Sequence, residues 1–90
     1  METKIYKVVA QGEPFEVPSK KSETGKLAKC IIRLKELGEY GDELLVVMLG
    51  NLALCRFAAG VIVAASLRFA THETNGQWYQ DITANDIEEI

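Results

Sequence analysis

The 90 residues predict an all-β domain, a small five-stranded barrel with one short helix between its third and fourth strands. Three observations lead there. Apolar residues alternate at period two or run continuously over separate short stretches. Asn75-Gly76, a strong hairpin signal, sits between two long strand-like stretches. Residues 51–59 have the length of two helical turns, follow a candidate N-cap at Asn51 and stop at Gly60.

The first strand runs over residues 4–11 and resumes at 15–17. Gly12-Glu13-Pro14 between them suits a corner, because proline removes a ladder donor and glycine lets the chain bend. Residues 18–25 are polar after the proline and form a solvated loop. Over residues 26–35, Ala28, Cys30, Ile32 and Leu34 alternate with Leu27, Lys29, Ile31, Arg33 and Lys35, so a second strand has an apolar inner face and a mixed basic and aliphatic outer one. Gly38 and Gly41 mark a hairpin loop. Residues 44–49 are continuously apolar, a third strand whose two faces both need covering. The fourth strand spans 61–73 and the fifth 77–84, while the acidic tail 85–90 is expected to fray or add a last turn. This order of elements is the plan of an oligonucleotide/oligosaccharide-binding (OB) fold, filling residues 1–90 as a single domain. An SH3-like barrel, also five-stranded, is the alternative, but it would not need the insertion at 51–59.

With 48% apolar residues the chain can build a core without cross-links. Cys30 and Cys55 sit in apolar stretches with no CxxC or Cys/His spacing, so both are expected as buried, reduced thiols; a disulfide between them is the alternative. The charged start Met1-Glu2-Thr3-Lys4 lacks the apolar core of a signal peptide, and the longest apolar run, 57–67, falls well short of the roughly 20 residues that span a bilayer. A cytoplasmic protein with no membrane partner is expected. The net charge of −3 is unevenly spread. Residues 1–35 carry eight cations against four carboxylates, a balance of +4, and residues 36–90 carry two against nine, a balance of −7.

The stretch Ala59-Gly60-Val61-Ile62-Val63-Ala64-Ala65-Ser66-Leu67, followed by Asn75-Gly76-Gln77-Trp78-Tyr79-Gln80-Asp81-Ile82-Thr83-Ala84, resembles the last two strands of bacterial single-stranded DNA-binding proteins, including small relatives such as primosomal replication protein N. In that family a glycine starts strand four, and strand five carries an aromatic four residues before an aliphatic, here Trp78 and Ile82. The resemblance is specific over roughly half the chain. It implies binding of single-stranded DNA or RNA without a cofactor. The chain departs from the family in carrying no aromatic residue on its second and third strands and no long acidic or glycine-rich tail, so affinity is expected to be weak or to depend on a homo-oligomer.

The candidate interface starts with Lys20, Lys21 and Lys26 on or beside the loop between strands one and two. Lys29, Arg33 and Lys35 continue it on the outer face of strand two, where cations would neutralise phosphates. For Lys20 and Lys21 plain solubility explains as much; Lys29, Arg33 and Lys35 form a stripe at strand spacing. Tyr79 and Tyr40 are the candidate stacking residues, with packing or a subunit contact as the alternative for each. Trp78 is assigned to the core by the resemblance, and Phe57 and Phe69 are also expected there.

Enzymatic chemistry has no evident actors. His72 stands alone without metal-ligand spacing and is expected at the surface, and Glu73, Asp81, Asp86, Glu88 and Glu89 lack a base or nucleophile beside them. Around Thr24-Gly25-Lys26 a phosphate loop fails, since Lys20 stands where the first glycine belongs and Leu27 where Ser or Thr should follow. A second functional reading is a protein-interaction module that uses the apolar third strand and the helix.

Overall fold

The computed structural model describes residues 3–21 and 23–90; Met1 and Glu2 of the charged start and Ser22 of the first loop lie outside the described residues. Its strands are β1 (Thr3–Gln11), β2 (Phe15–Pro18), β3 (Lys26–Glu36), β4 (Glu43–Leu49), β5 (Ile62–Thr74) and β6 (Gln77–Glu89). β1 and β2 are two arms of one bent strand, both antiparallel to β3. The ring closes in the order β1, β3, β4, β6, β5 and back to β1, with β4 and β6 parallel at Val47 and Thr83. This is the five-stranded barrel expected from the sequence, with its first strand broken at Gly12–Pro14.

Period-two alternation fills the barrel. Tyr6 and Val8 of β1, Cys30, Ile32 and Leu34 of β3, Val46 and Met48 of β4, Val63, Ala65 and Leu67 of β5, and Ala84 and Ile87 of β6 are buried together with Ala53. Phe57 packs against this cluster as expected. Each fully buried aliphatic side chain contributes ~1.5–3 kcal/mol relative to exposure.

The helix between strands three and four is shorter than expected. It is a 3-10 turn, Gly50–Leu54, preceded by Leu49 rather than capped by Asn51, and Cys55 is already extended at φ −71°, ψ 137°. A side chain takes the backbone groups that a continuing helix would use. Gln11 Nε2 donates to the Cys55 carbonyl at 2.7 Å, and the Phe57 N–H donates to Gln11 Oε1 at 2.8 Å. Arg56 reinforces the link, donating from Nη1 to the Gly12 carbonyl at 2.9 Å and pairing from Nη2 with Glu13 at 3.6 Å. Gly60, at φ +95°, then turns the chain onto β1, where its N–H donates to the Val8 carbonyl at 2.8 Å.

The acidic tail neither frays nor adds a turn. β6 continues to Glu89 opposite Val63, absorbing Asn85 as a bulge between the Leu67–Ala84 and Ser66–Asp86 pairs. The bulge resets the alternation so that Ala84 and Ile87, three apart, both enter the core. Of the cysteines, Cys30 is buried and Cys55 is exposed, which corrects the expectation of two buried thiols; both are free. No helix among the described residues is long and apolar enough to cross a membrane.

Candidate nucleic-acid interface

β3 faces β4 in the rows Lys29–Leu49, Ile31–Val47, Arg33–Leu45 and Lys35–Glu43. Cys30, Ile32 and Leu34 point inward, so these rows form the outer surface of the sheet. On the other side of β3, Lys35 stands opposite Lys7 and Lys29 opposite Phe15. Thr83 of β6 is Val47's partner and Arg68 of β5 is Thr83's, which carries the outer surface onto the last two strands. Two residues at a time along β6, the same face reaches Asp81 and then Tyr79, opposite His72. Lys29, Arg33, Lys35 and Tyr79 therefore share one continuous sheet face, with the apolar residues of β4 between the cations and the aromatic.

Four carboxylates lie on this outer surface: Glu43 and Asp81, each beside a partner, and, past the Asn85 bulge, Asp86 opposite Ser66 and Glu88 opposite Ala64. Arg33 Nη2 lies 2.6 Å from Glu43 Oε2. His72 Nδ1 lies 3.4 Å from Asp81 Oδ2, an ion pair when the imidazole is protonated. The His72 and Tyr79 rings stack at 5.7 Å with 24° between their planes, and the Tyr79 hydroxyl donates to Gln77 Oε1. These contacts hold Tyr79 half-out of the hairpin surface, at 45% exposure.

The remaining sequence candidates are placed elsewhere. Lys26 pairs with Pro18 on the opposite face of β3 from Lys29 and lines a groove with Pro14, Phe15 and Leu54. Lys20 and Lys21 are exposed in the loop at that same end of β3. Tyr40 is exposed in the loop at the other end of β3, beyond Lys35. His72 is at the surface, as expected. Among the described residues no group of three or more His, Cys, Asp or Glu is placed to hold a metal ion.

Two core assignments are corrected. Trp78 is 80% exposed and Phe69 is 56% exposed. Their alternation is as expected, since Glu73–Trp78, Thr71–Gln80, Phe69–Ile82 and Leu67–Ala84 are successive rows on the core-facing side. The hairpin simply outruns the barrel. Among the described residues β1 pairs with β5 from Ile62 to Ser66 and β4 meets β6 at Thr83. Ile82 still packs against the core and Phe69 borders a groove with Lys4, Tyr6 and Glu36, while the rows from Thr71–Gln80 to the turn are exposed. Strand length carried this signal in the sequence: a thirteen-residue fourth strand cannot be covered along its length by a third strand of six.

No protein-family model matches this chain. No curated protein matches it either. Among solved structures, the second OB-fold domain of replication protein A from Methanococcus maripaludis superposes with a TM-score of 0.70 at 20% identity, over 98% of this chain and 81% of that one. The protein priB from Ralstonia solanacearum superposes with a TM-score of 0.54 at 12% identity, over 99% of this chain and 96% of that one. Identity this low speaks to architecture, and the ring order agrees with it: this chain has the OB fold.

Proposed function

We propose that this protein is a non-enzymatic, cytoplasmic OB module that binds single-stranded DNA or RNA, with an affinity that is weak or dependent on oligomerisation. The observation that carries the reading is the outer sheet face on which Lys29, Arg33 and Lys35 lie in register with a path leading to Tyr79. Cations on one strand face neutralise successive phosphates, and an exposed ring gives a base a stacking surface without reading its identity. Lys20, Lys21 and Lys26 extend the positive charge at one end of β3, and Tyr40 offers a second ring at the other. One of the solved neighbours is, by its name, a domain of replication protein A, which fits this reading.

Fluorescence anisotropy with short labelled oligonucleotides tests it. Binding is expected at low salt and is expected to weaken steeply as salt rises. The double variant Arg33→Glu with Lys35→Glu should abolish it. No binding at low salt, or binding indifferent to that variant, overturns the reading.

A second reading rests on a separate observation. Leu45 is 65% exposed, and Leu49 and Val47 continue its row on the outer side of β4, an apolar strip suited to a protein partner. In that case the double variant leaves oligonucleotide binding unchanged, and Leu45→Glu removes the partner.

A further inference from the structure

Beyond the barrel, β5 and β6 form a two-stranded ribbon with Phe69, Trp78 and Tyr79 exposed on it. An isolated two-stranded ribbon is marginal in water and gains stability from further strands. Its outer edge along β6 lacks the devices that keep strand edges apart. Gln77 to Asp81 are all exposed, and this segment contains no proline, no lysine and no bulge, with Asp81 its one charge.

The direction of the free backbone groups follows from the turn. Asn75 and Gly76 both have positive φ, 53° and 78°, as a two-residue type I′ turn requires, and Thr74 and Gln77 close it. That closing pair is hydrogen-bonded, and hydrogen-bonded pairs alternate along an antiparallel ladder. His72–Tyr79 is then bonded within the hairpin, while Trp78 and Gln80 turn their N–H and C=O groups toward the open edge.

We infer that this edge is a homodimer interface, in which β6 of one copy pairs antiparallel with β6 of a second about a two-fold axis at Tyr79. This inference rests on the oligomer dependence proposed above and supplies its surface. The symmetry is self-complementary at each position. Trp78 exchanges backbone hydrogen bonds with Gln80 of the second copy, and Gln80 with the second Trp78. Tyr79 faces Tyr79 in the close, non-hydrogen-bonded pairing that favours aromatic contact. His72 already stacks on Tyr79, so a four-ring ladder of His72, Tyr79, Tyr79 and His72 crosses the joined sheet. Asp81 meets Gln77, so the segment's one carboxylate does not face its own copy. The two outer faces described above become continuous through the ladder.

Light scattering coupled to size exclusion, with no nucleic acid present, provides the test. The wild-type chain is expected to approach twice its 10.0 kDa mass as concentration rises. Gln80→Pro removes a donor that points only to the open edge and should hold the chain at the monomer mass. As an independent check, Tyr79→Cys in a Cys55→Ser background should form a disulfide-linked dimer on oxidation, while Thr71→Cys on the far strand should not. A wild-type monomer at every concentration reached, a dimer that survives Gln80→Pro, or no cross-link through position 79 overturns the inference. Because no oligonucleotide is involved, failure here is distinct from failure of the anisotropy experiment.

Discussion

Arg33 and Glu43 form a diagonal ion pair across the β3–β4 ladder, Nη2 to Oε2 at 2.6 Å, one row away from the directly opposed Arg33–Leu45 neighbours. Both side chains remain substantially exposed, at 51% and 39%. An exposed pair of this kind contributes on the order of 0–1 kcal/mol to stability. Its larger effect is on the interface, because the guanidinium that would meet a phosphate is already neutralised.

Glu43→Gln is therefore expected to tighten oligonucleotide binding and to steepen its salt dependence by about 0.7 in log K per log salt, the increment for one more phosphate contact on a single strand. Thermal stability should change little. Anisotropy titrations over a salt series check both expectations; an unchanged slope would mean that Arg33 does not lie on the phosphate path.

Trp78 is the one tryptophan of the chain, so its fluorescence reports on it alone. Because it is exposed on the ribbon, Trp78→Ala should leave the denaturant midpoint nearly unchanged. A core tryptophan would instead cost ~3–5 kcal/mol on truncation. Quenching by added iodide in the native state provides a second check, expected to be nearly as efficient as for free indole.

Gln11→Ala tests the link that stops the 3-10 turn. It removes the acceptor of the Phe57 N–H and the donor to the Cys55 carbonyl, and a loss of ~1–3 kcal/mol is expected from leaving such groups unpaired. Urea unfolding measures the loss. Hydrogen exchange should rise most at Phe57.

Gly41→Ala is expected to destabilise more than alanine at any exposed loop position, because a Cβ there would collide with the Glu36 carbonyl oxygen. That oxygen belongs to rigid strand backbone, and the Glu36 N–H is itself bonded to the Asp42 carbonyl at 3.0 Å. The β3–β4 connection must then open, shifting Lys35 and Glu43 together. Thermal unfolding should show the drop, and Gly38→Ala separates crowding from backbone strain, since a Cβ at Gly38 has open space but must adopt φ +122°.

The amino-acid sequence alone determined where the strands lie, short of the 85–89 extension of the last one, the alternation along each, and the tight turn at Asn75-Gly76. These depend on neighbours one or two positions apart: alternation at Lys26–Glu36 assigns its inner face whatever the strand pairs with, and positive φ at Asn75 and Gly76 is a local preference. Tertiary structure decided where each strand's cover ends and which side chains compete for backbone groups. Trp78 and Phe69 have core-facing alternation yet are largely exposed because the hairpin runs on past the described β1–β5 pairs and the β4–β6 contact. The helix expected at 51–59 ends early because Gln11, forty-four residues from Cys55, takes its carbonyl. The tail expected to fray or add a last turn instead continues as strand because the Asn85 bulge returns Ile87 to the core. The cationic stripe on β3 was legible from spacing, but its pairing with Glu43 depended on β4 lying alongside in one register, and register is a property of two strands together.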